Sequence, residues 1–114
     1  MANVFKLKTK AGIDTALATV YTVPASKTAV VIGLTLTNIK GASVTASVQV
    51  SSNTVDVETN EDVYVAKNIP LPAGSSVEVM SGNKIVLQET DLIKVSGSVT
   101  DAVDAVLSIM ESDV

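Results

Sequence analysis

The chain has no cysteine, no histidine and no tryptophan, and every one of its 8 basic residues is lysine. Each absence closes a class of chemistry. Without cysteine there is no disulfide framework and no thiol nucleophile. Without histidine there is no side chain that titrates near neutrality, so a serine or cysteine triad has no base. Zinc sites of the usual Cys/His kind are excluded as well. With no arginine and a net charge of −4, the chain lacks the basic patch that phosphate neutralisation requires, so no nucleic-acid partner is expected. No apolar run approaches the ~18 residues of a membrane span, so no membrane partner is expected. Met1 to Lys8 has no apolar run behind its charges, so no signal peptide is expected. No cofactor is implied.

What is present is aliphatic and small. Hydrophobic residues make up 46% of the 114 residues and aromatics only 3%, so the core must be built from Val, Ile, Leu and Ala. β-Branched residues with Ser and Thr favour strands over helices. The chain is long enough for one domain with one core. Residues 1–15 read as an N-terminal arm or edge strand and 16–114 as a β-sandwich domain.

The longest apolar stretch is 29–38, Ala-Val-Val-Ile-Gly-Leu-Thr-Leu-Thr-Asn. Period two places Val30, Ile32, Leu34 and Leu36 on an inner face and Ala29, Val31, Gly33, Thr35 and Thr37 on an outer one. Residues 44–51 alternate too, with Val44, Ala46, Val48 and Val50 inward. The two read as a hairpin joined through Gly41. Further strands are expected at 16–23, 62–69, around Val77 and Val79, at 85–87 and from Leu92 to Gly97. Pro70-Leu71-Pro72-Ala73-Gly74 reads as a rigid bend between sheets. The tail fits a helical stripe and a strand; its setting among short strands favours the strand. The expectation is an all-β fold: a single antiparallel β-sandwich, immunoglobulin-like or jelly-roll-like, of seven to eight short strands.

Few residues carry chemistry. Asp56, Glu58, Glu61 and Asp62 form an acidic loop with oxygen ligands suited to Ca²⁺, but without EF-hand spacing; solvated loop charge is the plainer reading. Asp101 and Asp104 stand in the same position. Tyr21 and Tyr64 are the only tyrosines that could serve as platforms for a sugar ring, and both sit among valines, where packing is the plainer role. Lys6, Lys8 and Lys10 recur with period two. They either discourage edge pairing or meet an acidic partner. A mean hydropathy of +0.41 is high for an isolated monomer and argues for a protein-covered surface, hence a homo-oligomer or lattice component.

Between Val20 and Asn38 the chain runs strand, Pro24-Ala25 turn, long apolar strand. Ile69-Pro70-Leu71-Pro72-Ala73-Gly74 follows, then Ile85-Val86-Leu87, Asp91-Leu92-Ile93-Lys94-Val95 and a tail from Val103 to Glu111. In that order these pieces resemble small β-sandwich structural proteins of tailed bacteriophages, over about residues 16–111. The resemblance implies a virion component, assembled in the host cytoplasm, whose partners are the major capsid protein or other virion proteins. Head decoration (cement) proteins fit first, with a trimer as the expected oligomer. A small tail, neck or fibre-associated adaptor is the alternative, and an adhesive, glycan-binding module is the alternative of another class. The family often places Gly before the Asp of the 89–91 turn; this chain has Thr90, which leaves that turn open.

Overall fold

The computed structural model describes residues 3–113. Met1, Ala2 and Val114, which the sequence reading assigns to the arm and the sandwich, lie outside the described residues. Among the described residues nine strands form two sheets. They are β1 (Asn3–Ile13), β2 (Ala18–Thr22), β3 (Lys27–Asn38), β4 (Val44–Ser51), β5 (Val63–Leu71), β6 (Ser76–Glu78), β7 (Ile85–Leu87), β8 (Leu92–Gly97) and β9 (Val103–Asp113). The first sheet runs β1-β9-β3-β6, with β7 also on β3; the second runs β2-β8-β4-β5. Every pairing is antiparallel. The fold is the expected all-β sandwich, with nine strands instead of seven to eight. The tail is a strand, and its partners lie on both sides of it.

The core fills the space between the sheets. Val31, Leu34, Leu36, Leu107 and Ile109 enter from the first sheet, and Tyr21, Val48, Ile93 and Val95 from the second. Burying one such aliphatic side chain stabilises the fold by roughly 1.5–3 kcal/mol.

The organising strand does not keep one phase. Val31 faces Ile109 and Gly33 faces Ser108, so Ile32 is an extra residue, a β-bulge. A bulge reverses the alternation. The inward packing therefore comes from Ala29 and Val31 before it, and from Leu34 and Leu36 after it, while Val30 and Ile32 turn out of the core. The Val30/Ile32 half of the expected inner face is thus corrected. The Glu78 carboxylate fills the break. It accepts hydrogen bonds from the backbone N–H of Leu34 at 3.0 Å and of Met80 at 2.9 Å. It does so where the flanking strand is interrupted between β6 and β7.

The expected hairpin of 29–38 with 44–51 is not formed. β3 and β4 lie in different sheets, and the connection crosses from one to the other. Asn38 holds the crossing. It is buried, its Nδ2 donates to the carbonyls of Ala42 at 2.8 Å and Leu71 at 2.9 Å, and its Oδ1 accepts from Lys40 N–H at 2.8 Å. A side chain that satisfies three backbone groups removes the need for a hairpin ladder there. β5 also departs from expectation: it runs through Pro70 to Leu71 before crossing to β6. It lies at a sheet edge, where a proline costs no ladder bond if its nitrogen faces outward.

Candidate docking surface

Residues opposite one another in a ladder share a face of the sheet. Lys6, Lys8 and Lys10 on β1 stand opposite Ile109, Leu107 and Ala105 of β9, all three buried. The lysine side of β1 therefore belongs to the inner face, at the flank where β1 meets β2. β9 carries the same buried series one step further, to Glu111. Its side chain is 4% exposed. The Tyr21 hydroxyl donates to Glu111 at 2.5 Å, and Lys6 Nζ lies 2.9 Å from its other oxygen. Lys8 Nζ sits 5.9 Å from the centre of the Tyr21 ring.

The hydrogen bond from Tyr21 holds the Glu111 carboxyl below the usual carboxylate range, against the desolvation of its site, with Lys6 and Lys8 adding to the effect. Burial, and then the hydrogen bond and charge of Glu111, push the Tyr21 phenol well above its usual range. The result is an ionised carboxylate facing a neutral phenol. Neither group is poised to exchange a proton near neutral pH. The cluster ties β1, β2 and β9 together.

The other face of the first sheet is unusual for the opposite reason. Phe5 faces Met110, Met110 faces Val30, and Val30 faces Val86, giving one apolar row across four strands. It ends in exposed side chains on both sides, Phe5 at 72% and Val86 at 68%. Leu7, Ile32 and Val106 lie on neighbouring rows and are exposed too. A row of this kind stands in water only at a cost, and its place on the flat face of a sheet suits contact over a broad area.

The other sequence candidates fall into place around this surface. Asp62 is engaged, accepting from the Ser51 hydroxyl at 3.0 Å and Ser52 N–H at 2.9 Å. Asp56, Glu58 and Glu61 are exposed on the loop between β4 and β5. Among the described residues no group of three or more acidic side chains is placed to hold a metal ion. Open hollows of about 550 and 430 Å³ adjoin that loop. Asp104 accepts from Gly12 N–H at 2.9 Å, and Asp14 accepts from Asp101 N–H at 2.8 Å, so these acids brace the bend in β1. Tyr21 is buried and its hydroxyl engaged, not at the rim. Tyr64 is half exposed, with Lys67 Nζ 4.1 Å from its ring centre.

The Glu111–Tyr21 pair escapes a reading of motifs, yet a signal exists. Val103, Ala105, Leu107, Ile109 and Glu111 form one period-two series, and a carboxylate in the phase of four aliphatics demands a partner. The apolar row has no such signal, because its four residues come from four separate strands.

No family model matches the chain, and no curated protein matches it. Among the solved structures that share its fold are the following two. One is a chain of Bacillus endospore appendages, described as a novel family of disulfide-linked pili. It is 12% identical over 99% of this chain and 88% of that one, with a TM-score of 0.51. The other is from the T13 IBDV viral particle, 10% identical over 96% of this chain but 30% of that one, with a TM-score of 0.57. At these identities the likeness is one of fold.

Proposed function

We propose that this chain is a non-enzymatic structural protein of a phage virion, a decoration or cement protein that binds the coat subunits of the head shell and stabilises it. The observation that carries the reading is the apolar row Phe5–Met110–Val30–Val86 on the open face of the first sheet. The two fold neighbours, one from an appendage and one from a viral particle, support a building-block role. The mechanism is area burial by a preformed surface. Strand backbones already fixed by the ladder lose little further freedom on docking, so the ordering part of the cost of association is small and more of the apolar burial is left as affinity. A homo-oligomer, with the trimer as the favoured form, bridges several coat subunits and gains avidity.

The test is reconstitution. Purified chain is added to head shells that lack it, and bound copies per shell and shell melting are measured. Saturable binding at hundreds of copies, with a raised shell melting temperature, is expected for a cement protein. The Bacillus appendage neighbour, nearly the same length as this chain, favours a second reading as a small tail or fibre-associated subunit. About a dozen copies per particle, located off the head, would select it.

A further inference from the structure

Between β4 and β5 the chain makes a small projecting hairpin. Val55 bridges to Thr59, and Asn60 N–H donates to the Thr54 carbonyl at 2.8 Å. Its tip is Asp56-Val57-Glu58, and Val57 is 91% exposed. On the far flank β1 is the end strand of its sheet, paired on one side only. Its sequence Phe5-Lys6-Leu7-Lys8 alternates apolar and basic residues as the tip alternates acidic and apolar ones. Among the described residues the ion pairs are Lys6–Glu111 and Lys27–Asp113, so Lys8, Lys10, Asp56 and Glu58 have none.

We infer that the hairpin tip of one copy docks on the β1 edge of the next copy, with Val57 against Leu7 and the Asp56 and Glu58 carboxylates against Lys8 and Lys10. Charge complementarity selects a second copy as the occupant. The two surfaces oppose each other in sign and match in apolar pattern. They cannot meet within one chain, because β1 ends the first sheet beside β2 and the hairpin leads into β5 at the other end of the second sheet. An unpaired end strand is also a natural receptor for another chain. A contact between two different surfaces is head-to-tail; it closes into a ring when the rotation permits, and otherwise propagates as a filament. The inference rests on the building-block reading and supplies its copy-to-copy contact.

Sedimentation of the purified full chain over a concentration series, at low and high salt, is the test. Reversible self-association that weakens with salt is expected. Val57→Asp should weaken it roughly tenfold or more, as should Lys8→Glu with Lys10→Glu, and Asp56→Lys with Glu58→Lys. Mixing the last two variants restores opposite charge at both kinds of contact, so the mixture should reassociate where neither does alone. Asp56, Val57, Glu58 and Lys10 are exposed and Lys8 is half-buried beside the Tyr21 ring, so circular dichroism verifies folding; if the paired lysine variant is unfolded, Lys10→Glu alone takes its place. A monomer at every concentration, association indifferent to Val57→Asp, or a charge-swapped mixture that stays dissociated would overturn the inference. Shell binding is read separately: loss of reconstitution with self-association intact would count against the virion role and leave this contact standing.

Discussion

Tyr21 donates its hydroxyl hydrogen bond to Glu111 across the gap between the two sheets, joining β2 to β9 through two side chains that are both almost fully buried. The bond is charge-assisted, and Lys6 supplies a second contact from β1. Tyr21→Phe removes the donor and leaves the carboxylate under-satisfied, at an expected cost of about 1.5–3 kcal/mol in urea unfolding. The pH dependence follows from the two shifts. Glu111 is held below its ordinary value, so its contribution is present above about pH 4.3 and is lost as pH falls through the folded value. Tyr21 is raised, so its contribution is complete below about pH 10 and is lost as pH rises through the folded value. With no histidine in the chain, stability should be flat between about pH 5 and 9. A slope inside that window, or equal acid sensitivity in Tyr21→Phe and the parent chain, would contradict the assignment.

Gly33 is tied to Glu78. A Cβ on Gly33 would stand 2.8 Å from Glu78 Oε1, while the same carboxylate serves the N–H groups of Leu34 and Met80. Gly33→Ala should therefore displace Glu78 and cost about 1–2 kcal/mol. Glu78→Ala should cost a similar amount by stranding the same two donors. The two changes act through one group, so the double variant should be clearly less destabilised than the sum. Additive costs in a double-mutant cycle would show that the carboxylate does not support the bulge.

The bulge at Ile32 makes neighbouring residues respond oppositely. Val31 is fully buried and Ile32 is well exposed. Val31→Ala should cost about 2 kcal/mol or more, whereas Ile32→Thr should stay within about 0.5 kcal/mol. Unbroken alternation requires the reverse order, so a pair of thermal melts decides between the two arrangements.

That contrast marks what can be read from a sequence of this kind. Alternation in 44–51 and 92–97 locates strands well, because each keeps an inner aliphatic series next to Ser, Thr or Lys. Alternation in 29–38 misplaces Val30 and Ile32, since both phases are apolar before Gly33 and only the partner strand reveals the extra residue. The mistaken hairpin has a similar origin. A turn through Gly41 fits two adjacent strands, and the information that overrides it lies in Asn38 reaching the Leu71 carbonyl, 33 residues away. The lysine stripe on β1 is plain in the sequence, but its inward orientation depends on β9, and the apolar row depends on four strands aligned in register.

Thr90 occupies a position made for glycine. Its φ is +72°, in the left-handed region that disfavours a β-branched residue. Its N–H donates to the Val23 carbonyl at 3.0 Å, and Asp91 N–H donates to the Gln88 carbonyl at 3.1 Å, so the turn is held from both sides. Thr90→Gly relieves the clash without removing a backbone bond. It should raise stability by about 1 kcal/mol, less the added freedom of glycine in the unfolded chain. A lowered melting temperature would mean that the Thr90 side chain contributes more than its backbone costs.

The apolar row on the first sheet separates docking from folding. Val86 is 68% exposed at one end of the row and Val99 is 45% exposed in the turn before β9, so neither side chain carries much of the core. Aspartate at either site adds the same charge and should change stability little. On a head shell the two should part. Val86→Asp places an ion in an apolar contact, which costs several kcal/mol if it stays charged and unpaired, so binding should fall by at least about a hundredfold. Val99→Asp should bind like the parent chain. Phe5→Ser, at the other end of the row and on a different strand, should weaken binding in the same sense, because a flat contact across four strands loses area from either end. If both aspartate variants decorate shells equally, the row is not the docking face, and the coat must be met through another surface of the sandwich.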